Sequence, residues 1–376
     1  MSASMYRINT DRNVPWNDLP PLPVAEKLYR QVEIMEVLGN AKAALARLHG
    51  RSAMIPNQGL LINSICLQEA KSSSQIENIL TTDDELYKAY SDQNPETTGP
   101  TKEVLRYREA LWDGYTYLKE SGRLDLEYLL RIFREIKQTR EGIRPPFLNT
   151  IIKQGGSGPN AGQIVYTPPR GEGIIEDKLE NLLVFLNDDV QYPIDILIKM
   201  AIGHFQFEAI HPFRDGNGRV GRLINIHYLT QKGLLDYPIL FLSRYILDNR
   251  DDYYYSLMGV SQRGAWKRWI IYMLKAVELT SNLTFHKINE IVAAKESILS
   301  YIRKDIRKFR TPDVLVDSIF QQPYTKVKHL VEAGIYAENT AREYLNRLCD
   351  LQVLEQKEIR GHHYYLNLEL YRILEE

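Results

Sequence analysis

The chain has 376 residues with 47 Lys plus Arg against 48 Asp plus Glu, so bulk charge draws it neither to nucleic acid nor to an anionic membrane. Two cysteines, Cys66 and Cys349, are too few for a disulfide framework or a thiolate zinc site and fit a reducing cytoplasm. The opening "MSASMYRINTDRNVPW" lacks a signal-peptide apolar core, and no window approaches a membrane-spanning run; a soluble intracellular protein is expected.

The stretch "VPWNDLPPLP" cannot sustain a helix or a central strand and is expected to run extended over a neighbouring surface. From Val24 to about Leu48, Leu28, Val32, Met35, Leu38, Ala41 and Leu45 recur every three to four residues, which predicts an amphipathic helix. A second helix is predicted through "LLINSICLQEAKSSSQIENI", and "TTDDEL" supplies capping residues and early acids for a third. After the break at "PETTGPTKEV", Val104, Tyr107, Leu111, Tyr115 and Leu118 mark a fourth, and "LDLEYLLRIFREI" continues the helical core. Residues 150–173 differ: Gly, Pro and Asn cluster around the β-prone run Gln163, Ile164, Val165 and Tyr166, predicting an exposed hairpin. Helical periodicity resumes at Ile175 and, broken at Pro193 and at residues 211–222, reaches about Leu299. Past a boundary near residue 305, helices are predicted over 313–321, 326–333 and 338–351. A strand, a turn and a strand follow in "VLEQKEI", "RG" and "HHYYLN", making a winged helix. The division is thus 1–100, 101–300 and 306–376.

The break at 211–222 reads "HPFRDGNGRVGR". Backbone N–H groups approach a phosphate closely where glycine leaves room, and Gly216 and Gly218 flank Asn217 just where a helix begins and favours an anion. Arg219 and Arg222, three apart, share a helix face and can both reach a polyphosphate. Asp215 stands one residue before the loop, a suitable place for a carboxylate on Mg²⁺. His211 is near enough to take a proton from an attacking hydroxyl. Phosphoryl or nucleotidyl transfer is the chemistry these parts make together. "GNGRVG" satisfies the dinucleotide fingerprint formally, but "IDILIKMAIGHFQFEAI" before it reads as helix, not strand, and no lysine completes a P-loop. The spacing of His204, Glu208 and His211 is not H-E-x-x-H, so His204 is expected to be a satisfied core histidine.

The order His-x-Phe-x-Asp-Gly-Asn-Gly-Arg-x-x-Arg resembles the signature of the Fic family of protein AMP-transferases at every position. The likeness spans about Ala70 to Tyr255, with "HFQFEAI", "IVYTPP" and "LSRYILDNRDDYY". It implies a mainly α fold: a Fic-type helical core with a β-hairpin flap, an N-terminal helical extension and the C-terminal winged helix. It implies that His211 activates a Ser, Thr or Tyr hydroxyl of a target protein, which attacks the α-phosphate of ATP, keeps AMP and releases pyrophosphate. Phe213 would anchor the loop, Asp215 would bind Mg²⁺, and Gly216, Asn217 and Gly218 would hold the α- and β-phosphates. The nucleotide-binding run continues through Arg219, Val220 and Gly221 to Arg222, with both arginines on the β- and γ-phosphates. Asn249 or Tyr254 would contact adenine. Gln163 to Tyr166 would be the flap that pairs edge to edge with a target segment.

Upstream, "SSSQIEN" matches the family's inhibitory pattern at Ser73, Glu77 and Asn78. Ser73 and Glu77 are one helical turn apart, and a carboxylate delivered to Arg222 would make a bidentate pair where the γ-phosphate belongs. In some relatives the same glutamate positions water for removal of AMP, so the direction is open between transfer and removal. Residues 311–376 carry seven Lys or Arg against eleven Asp or Glu, and Glu338 and Glu343 offset Arg342 and Arg347 on "ENTAREYLNRL". A protein-interaction role is favoured over DNA binding, with an ATP-sensing transcriptional regulator as the rival class. Self-modification and a homodimer are further expectations.

Overall fold

Prolines at 15, 20, 21 and 23 leave the N-terminal stretch without a ladder of its own, and side chains of the body satisfy its backbone instead. Asn181 accepts from Leu22 N (2.7 Å) and donates to Leu22 O (3.1 Å), while Lys178 and Gln206 donate to the carbonyls of Leu19 (2.9 Å) and Pro20 (3.0 Å). The first full helix, α1 (Val32–Ala53), therefore starts at Val32 and not at Val24, which is buried from an extended segment; a single 3₁₀ turn at Glu26–Leu28 lies between. This is a computed structural model, and it describes residues 6–53, 58–92, 98–153, 162–304, 309–359 and 361–375.

Helices α2 (Gln58–Ile76), α3 (Asp83–Asp92), α4 (Gly99–Ser121) and α5 (Leu126–Lys137) follow. Asp125 caps α5 by accepting from Tyr128 N at 2.8 Å, and Tyr128, Leu129, Ile132, Phe133 and Ile136 make its buried stripe. Strands β1 (Ile152–Lys153) and β2 (Ile164–Tyr166) pair antiparallel, with Ile152 opposite Tyr166; residues 154–161 of the predicted hairpin lie outside the described residues.

Two helices form the centre. α6 (Ile174–Asn187) packs on α7 (Ile196–Ile210), which is mostly apolar and buried on nearly every side, its polar side chains included. α8 (Asn217–Gln231) runs beside it, buried from Arg219 to Leu229. Gly221 lets the two approach, since a Cβ there would overlap the Glu208 carboxyl and lie 3.1 Å from the Phe207 ring. α9 (Leu242–Asp248), α10 (Arg250–Arg263) and the long α11 (Trp266–Arg303) complete the helical body, α11 packing along α1.

The C-terminal unit comprises α12 (Pro312–Ile319), β3 (Tyr324–Thr325), α13 (Val327–Glu332), α14 (Glu338–Asp350), β4 (Leu354–Ile359), β5 (His362–Asn367) and α15 (Leu368–Glu375). Its three predicted helices and its ribbon are present within two residues of expectation. The short β3 completes an antiparallel sheet of order β3-β5-β4, and neither β3 nor α15 was expected from the pattern. The expected boundary near 305 lies outside the described residues. This unit grips α3: Lys326 pairs with Asp92, Tyr364 donates to Asp92 (2.7 Å), Tyr324 donates to Asp84, and the His329 ring meets Ser91 O at 2.8 Å. The molecule is mainly helical, with two small antiparallel sheets among the described residues, as the sequence predicts.

Candidate active site

The site lies where α7 ends and α8 begins. His211 caps α7 in the left-handed conformation (φ 51°), with its N–H on Phe207 O at 2.9 Å, and Pro212 stops the helix from continuing. A left-handed histidine is uncommon and needs support. Arg144 provides it, donating from Nε to His211 O (2.8 Å) and from Nη2 to Pro169 O (2.5 Å) and Ile210 O (3.3 Å), while its own N–H reaches Pro212 O (2.9 Å). The imidazole is half-buried. Its Nδ1 is enclosed without a well-aligned hydrogen bond, although the Glu208 carbonyl acts on it. Burial, seconded by the Arg144 guanidinium, pushes it down to about 4, so His211 is neutral at ordinary pH.

The loop that follows is locked from inside. Phe213 is fully buried and stacks on Phe133 with ring centroids 4.0 Å apart. Asn217 accepts from Phe213 N (2.9 Å) and donates to Phe213 O (2.8 Å). Its amide is thus spent on the loop, which leaves the backbone N–H groups to meet an anion. Val220 faces the core and Gly221 faces α7, so neither brings a side chain to the loop. Asp215 is exposed, accepts from Gly216 N at 2.7 Å and pairs with Lys137 at the end of α5. Burial opposes its charged form, but Lys137 and the Gly216 N–H hold its carboxyl below the usual range.

Both arginines of the motif are buried and already engaged. Arg219 donates to Glu103 of α4 at 3.1 Å, with its Nε buried and without a partner among the described residues. Arg222 donates from Nε to Ser73 Oγ (2.8 Å) and from Nη2 to Ser73 O (2.9 Å) and Glu77 Oε1 (2.8 Å). The pair with Glu77 is therefore a single hydrogen bond and not bidentate: Nε and one hydrogen of Nη2 go to Ser73, and Glu77 receives the other Nη2 hydrogen. Glu77 lies just past the last turn of α2, and the chain leaves through a left-handed Asn78 (φ 62°). A Cβ on Gly218 would overlap Glu77 Oε1, which places the carboxylate against the N-terminus of α8, where an anion is favoured.

His204 is held by Tyr253 Oη (2.9 Å) and Gly221 O (3.2 Å), and burial pushes it down to about 3; no group of three metal-binding side chains occurs among the described residues. Burial pushes Glu208 up to about 8. Asn249 spends its amide on Tyr245 O (3.0 Å) between α9 and α10. Tyr254, next to Arg250, is close enough to Glu77 and Arg222 to feel their charges. On the flap, Gln163 is exposed and Ile164 and Val165 are half-buried, whereas Tyr166 is buried, its hydroxyl on Ala209 O at 2.8 Å. Tyr166 anchors the strand rather than offering itself to a target.

Residues 35–116 match the Fic/DOC family N-terminal region, residues 123–229 the Fic/DOC family, and residues 295–370 the C-terminal domain of SoFic-like protein adenylyltransferases. The chain belongs to the Fic/DOC family. This Fic chain is 32% identical over 160 residues to protein adenylyltransferase fic-1 of Caenorhabditis elegans, covering 43% of this chain and 28% of that protein. It is 47% identical over 53 residues to a probable protein adenylyltransferase of Aquifex aeolicus, covering 14% and 17%. It thus spans less than a third of the curated relatives it matches. In fold it is similar to a Fic family protein from Desulfovibrio desulfuricans G20, with a TM-score of 0.54 at 18% identity over 92% of this chain and 98% of that one. Fic-1 from C. elegans gives 0.52 at 18% identity over 68% and 74%.

Three residues of the Fic site carry no signal in the sequence: Arg144, Lys137 and Glu103. Each sits far along the chain from the motif, and only packing brings it there.

Proposed function

We propose that this chain is a protein adenylyltransferase that moves AMP from ATP to a Ser, Thr or Tyr hydroxyl of a target protein, and that Glu77 restrains it. One observation carries the reading: Glu77 lies on Arg222 against the N-terminus of α8, in a place whose donors suit a phosphate. A neutral His211 takes the proton of the target hydroxyl. The hydroxyl oxygen bonds to the α-phosphorus, the bond from that phosphorus to the bridging oxygen breaks, and pyrophosphate leaves. Arg219 and Arg222 neutralise the β- and γ-phosphates once their carboxylates give way, and the N–H groups of Gly216 to Gly218 hold the chain of phosphates. Tyr254 is better placed than Asn249 to meet adenine, since the Asn249 amide is engaged.

Mg²⁺ commonly binds through one or two carboxylates plus phosphate oxygens, and a single exposed, ionised Asp215 fits that donor set. Asp215 would hold it, and the ion would supply positive charge to the leaving phosphates. Ile164 and Val165 on β2 would pair with an extended target segment. The division at 1–100, 101–300 and 306–376 belongs to the same reading, with a winged helix that serves protein contacts rather than DNA; α11 ends at Arg303 and packs on α12 and α15 of the last part. Self-modification and a homodimer are compatible extensions.

His211→Ala in a Glu77→Gly background tests the mechanism. Transfer of AMP should fall by about 10²-fold or more, while a fluorescent ATP analogue should bind as before, because the base acts on the hydroxyl. Undiminished transfer would remove His211 from the reaction.

A further inference from the structure

The last carbonyls of an α-helix have no partner within the helix. At the end of α7 the carbonyls of Ala209 and Ile210, and just past it those of His211 and Pro212, are each capped by one of two residues around the flap. Tyr166 Oη donates to Ala209 O, the Arg144 side chain to Ile210 O and His211 O, and Arg144 N to Pro212 O. The same guanidinium donates to Pro169 O, just past β2, so one side chain joins the turn that carries His211 to the exit of the flap.

Arg144 is also costly. It is 2% exposed, donates to carbonyls and to no carboxylate, and its Nη1 is buried without a partner among the described residues. A buried cation with no carboxylate in direct contact destabilises a fold unless something compensates it, and here the negative end of the α7 dipole does so, with the Glu176 charge acting from further off. A packing role alone would be filled by an apolar side chain without this cost.

We propose that Arg144 is the positioning residue of His211: it fixes the left-handed turn that aims the imidazole and couples that aim to the base of the flap. The inference rests on the proposed role of His211 as the base. It has two consequences of different kinds. One is geometric, because three carbonyls are held in register by a single planar donor group. The other is electrostatic, because a fixed cation beside the imidazole disfavours its protonated form, in line with the downward push that Arg144 adds to burial. Glu77 and Asp215 act on His211 in the opposite direction, and the Glu208 carbonyl does the same.

The test compares Arg144→Gln and Arg144→Lys with the parent, all in the full chain carrying Glu77→Gly. The His211 ring is followed by NMR through a pH titration, and transfer is measured alongside. Arg144→Gln should move the His211 midpoint upward by about one pH unit, and Arg144→Lys, which keeps the charge, should move it less. Both should lower kcat for transfer by tenfold or more, since small misplacements of a reacting group are expensive, and leave KM for ATP within about twofold. If Arg144→Gln leaves the midpoint in place, or if Arg144→Lys restores full kcat, Arg144 is not a positioning residue. Should Arg144→Gln fail to fold, Arg144→Lys alone decides through its kcat and its midpoint. The titration needs no activity. A parent that folds, titrates as expected and transfers no AMP would overturn the proposed function and leave the coupling of Arg144 to His211 standing.

Discussion

Helices α8 and α14 both carry a pair of arginines, and they neutralise them in opposite ways. On α8, Arg219 and Arg222 are buried, and their carboxylates come from elsewhere: Glu103 on α4 and Glu77 beyond the end of α2. On α14, Arg342 is exposed and Arg347 half-exposed over the Phe309 ring, and they pair with Glu338 and Glu343 one turn earlier on the same helix. A counter-charge brought in by another element can withdraw when a competing anion arrives. One supplied from the same helix stays with its partner whatever binds. The first arrangement suits a site whose ligand competes with the protein's own acid; the second is a solvated face.

Arg222 should therefore be the costliest of the four to lose. Arg222→Met discards three hydrogen bonds and strands Ser73, so it should lower stability by about 2 kcal/mol or more and weaken ATP binding at least tenfold, read by denaturant unfolding and nucleotide titration. Arg342→Ala should cost less than about 0.5 kcal/mol. An equal loss at the two positions would erase the contrast.

The buried groups around α7 and α8 set a pH signature of intermediate size. His204, His211 and His227 are pushed down to about 3, 4 and 4, so below pH 6.5 the unfolded chain takes up protons that the folded chain refuses, and stability falls toward pH 4. Glu208 and Glu69 are pushed up to about 8 and 7, so the folded chain keeps protons that the unfolded chain has released, and stability falls again as pH rises through 7 to 8. The melting temperature should peak between these limbs, and Glu208→Gln should flatten the alkaline one. An alkaline limb unchanged in Glu208→Gln would contradict the assignment.

Smaller effects follow at the edges. Lys137→Met frees Asp215 from its resident cation and should lower the Mg²⁺ needed for half-maximal nucleotide binding by a few-fold; no change would separate Asp215 from the metal. Arg342→Ala with Arg347→Ala should leave gel shifts with genomic fragments as they were, with no complex surviving competitor DNA at moderate salt.

The motif at 211–222 and the face of Ser73 and Glu77 were legible because their spacing is local: a loop, a helix start and one helical turn. Arg144, Lys137 and Glu103 were not, since they reach the site only through tertiary packing. Asn217 and Tyr166 show a subtler limit. Their residue types suit phosphate and target contacts, but the fold spends the Asn217 amide on Phe213 and the Tyr166 hydroxyl on Ala209. Helix α1 began late because side chains of the body hold the proline-rich stretch in an extended form, and no periodicity records them.

Glu77 is proposed to keep a competent adenylyl-transfer site closed. Wild-type and Glu77→Gly proteins incubated with ATP labelled at the α-phosphorus, and in parallel at the γ-phosphorus, test it in one measurement. Glu77→Gly should place α-label on itself or on added protein at a rate tenfold or more above wild type, a release of about 1.4 kcal/mol or more, with no γ-label. Equal α-labelling by the two proteins, or γ-label on either, would contradict the account.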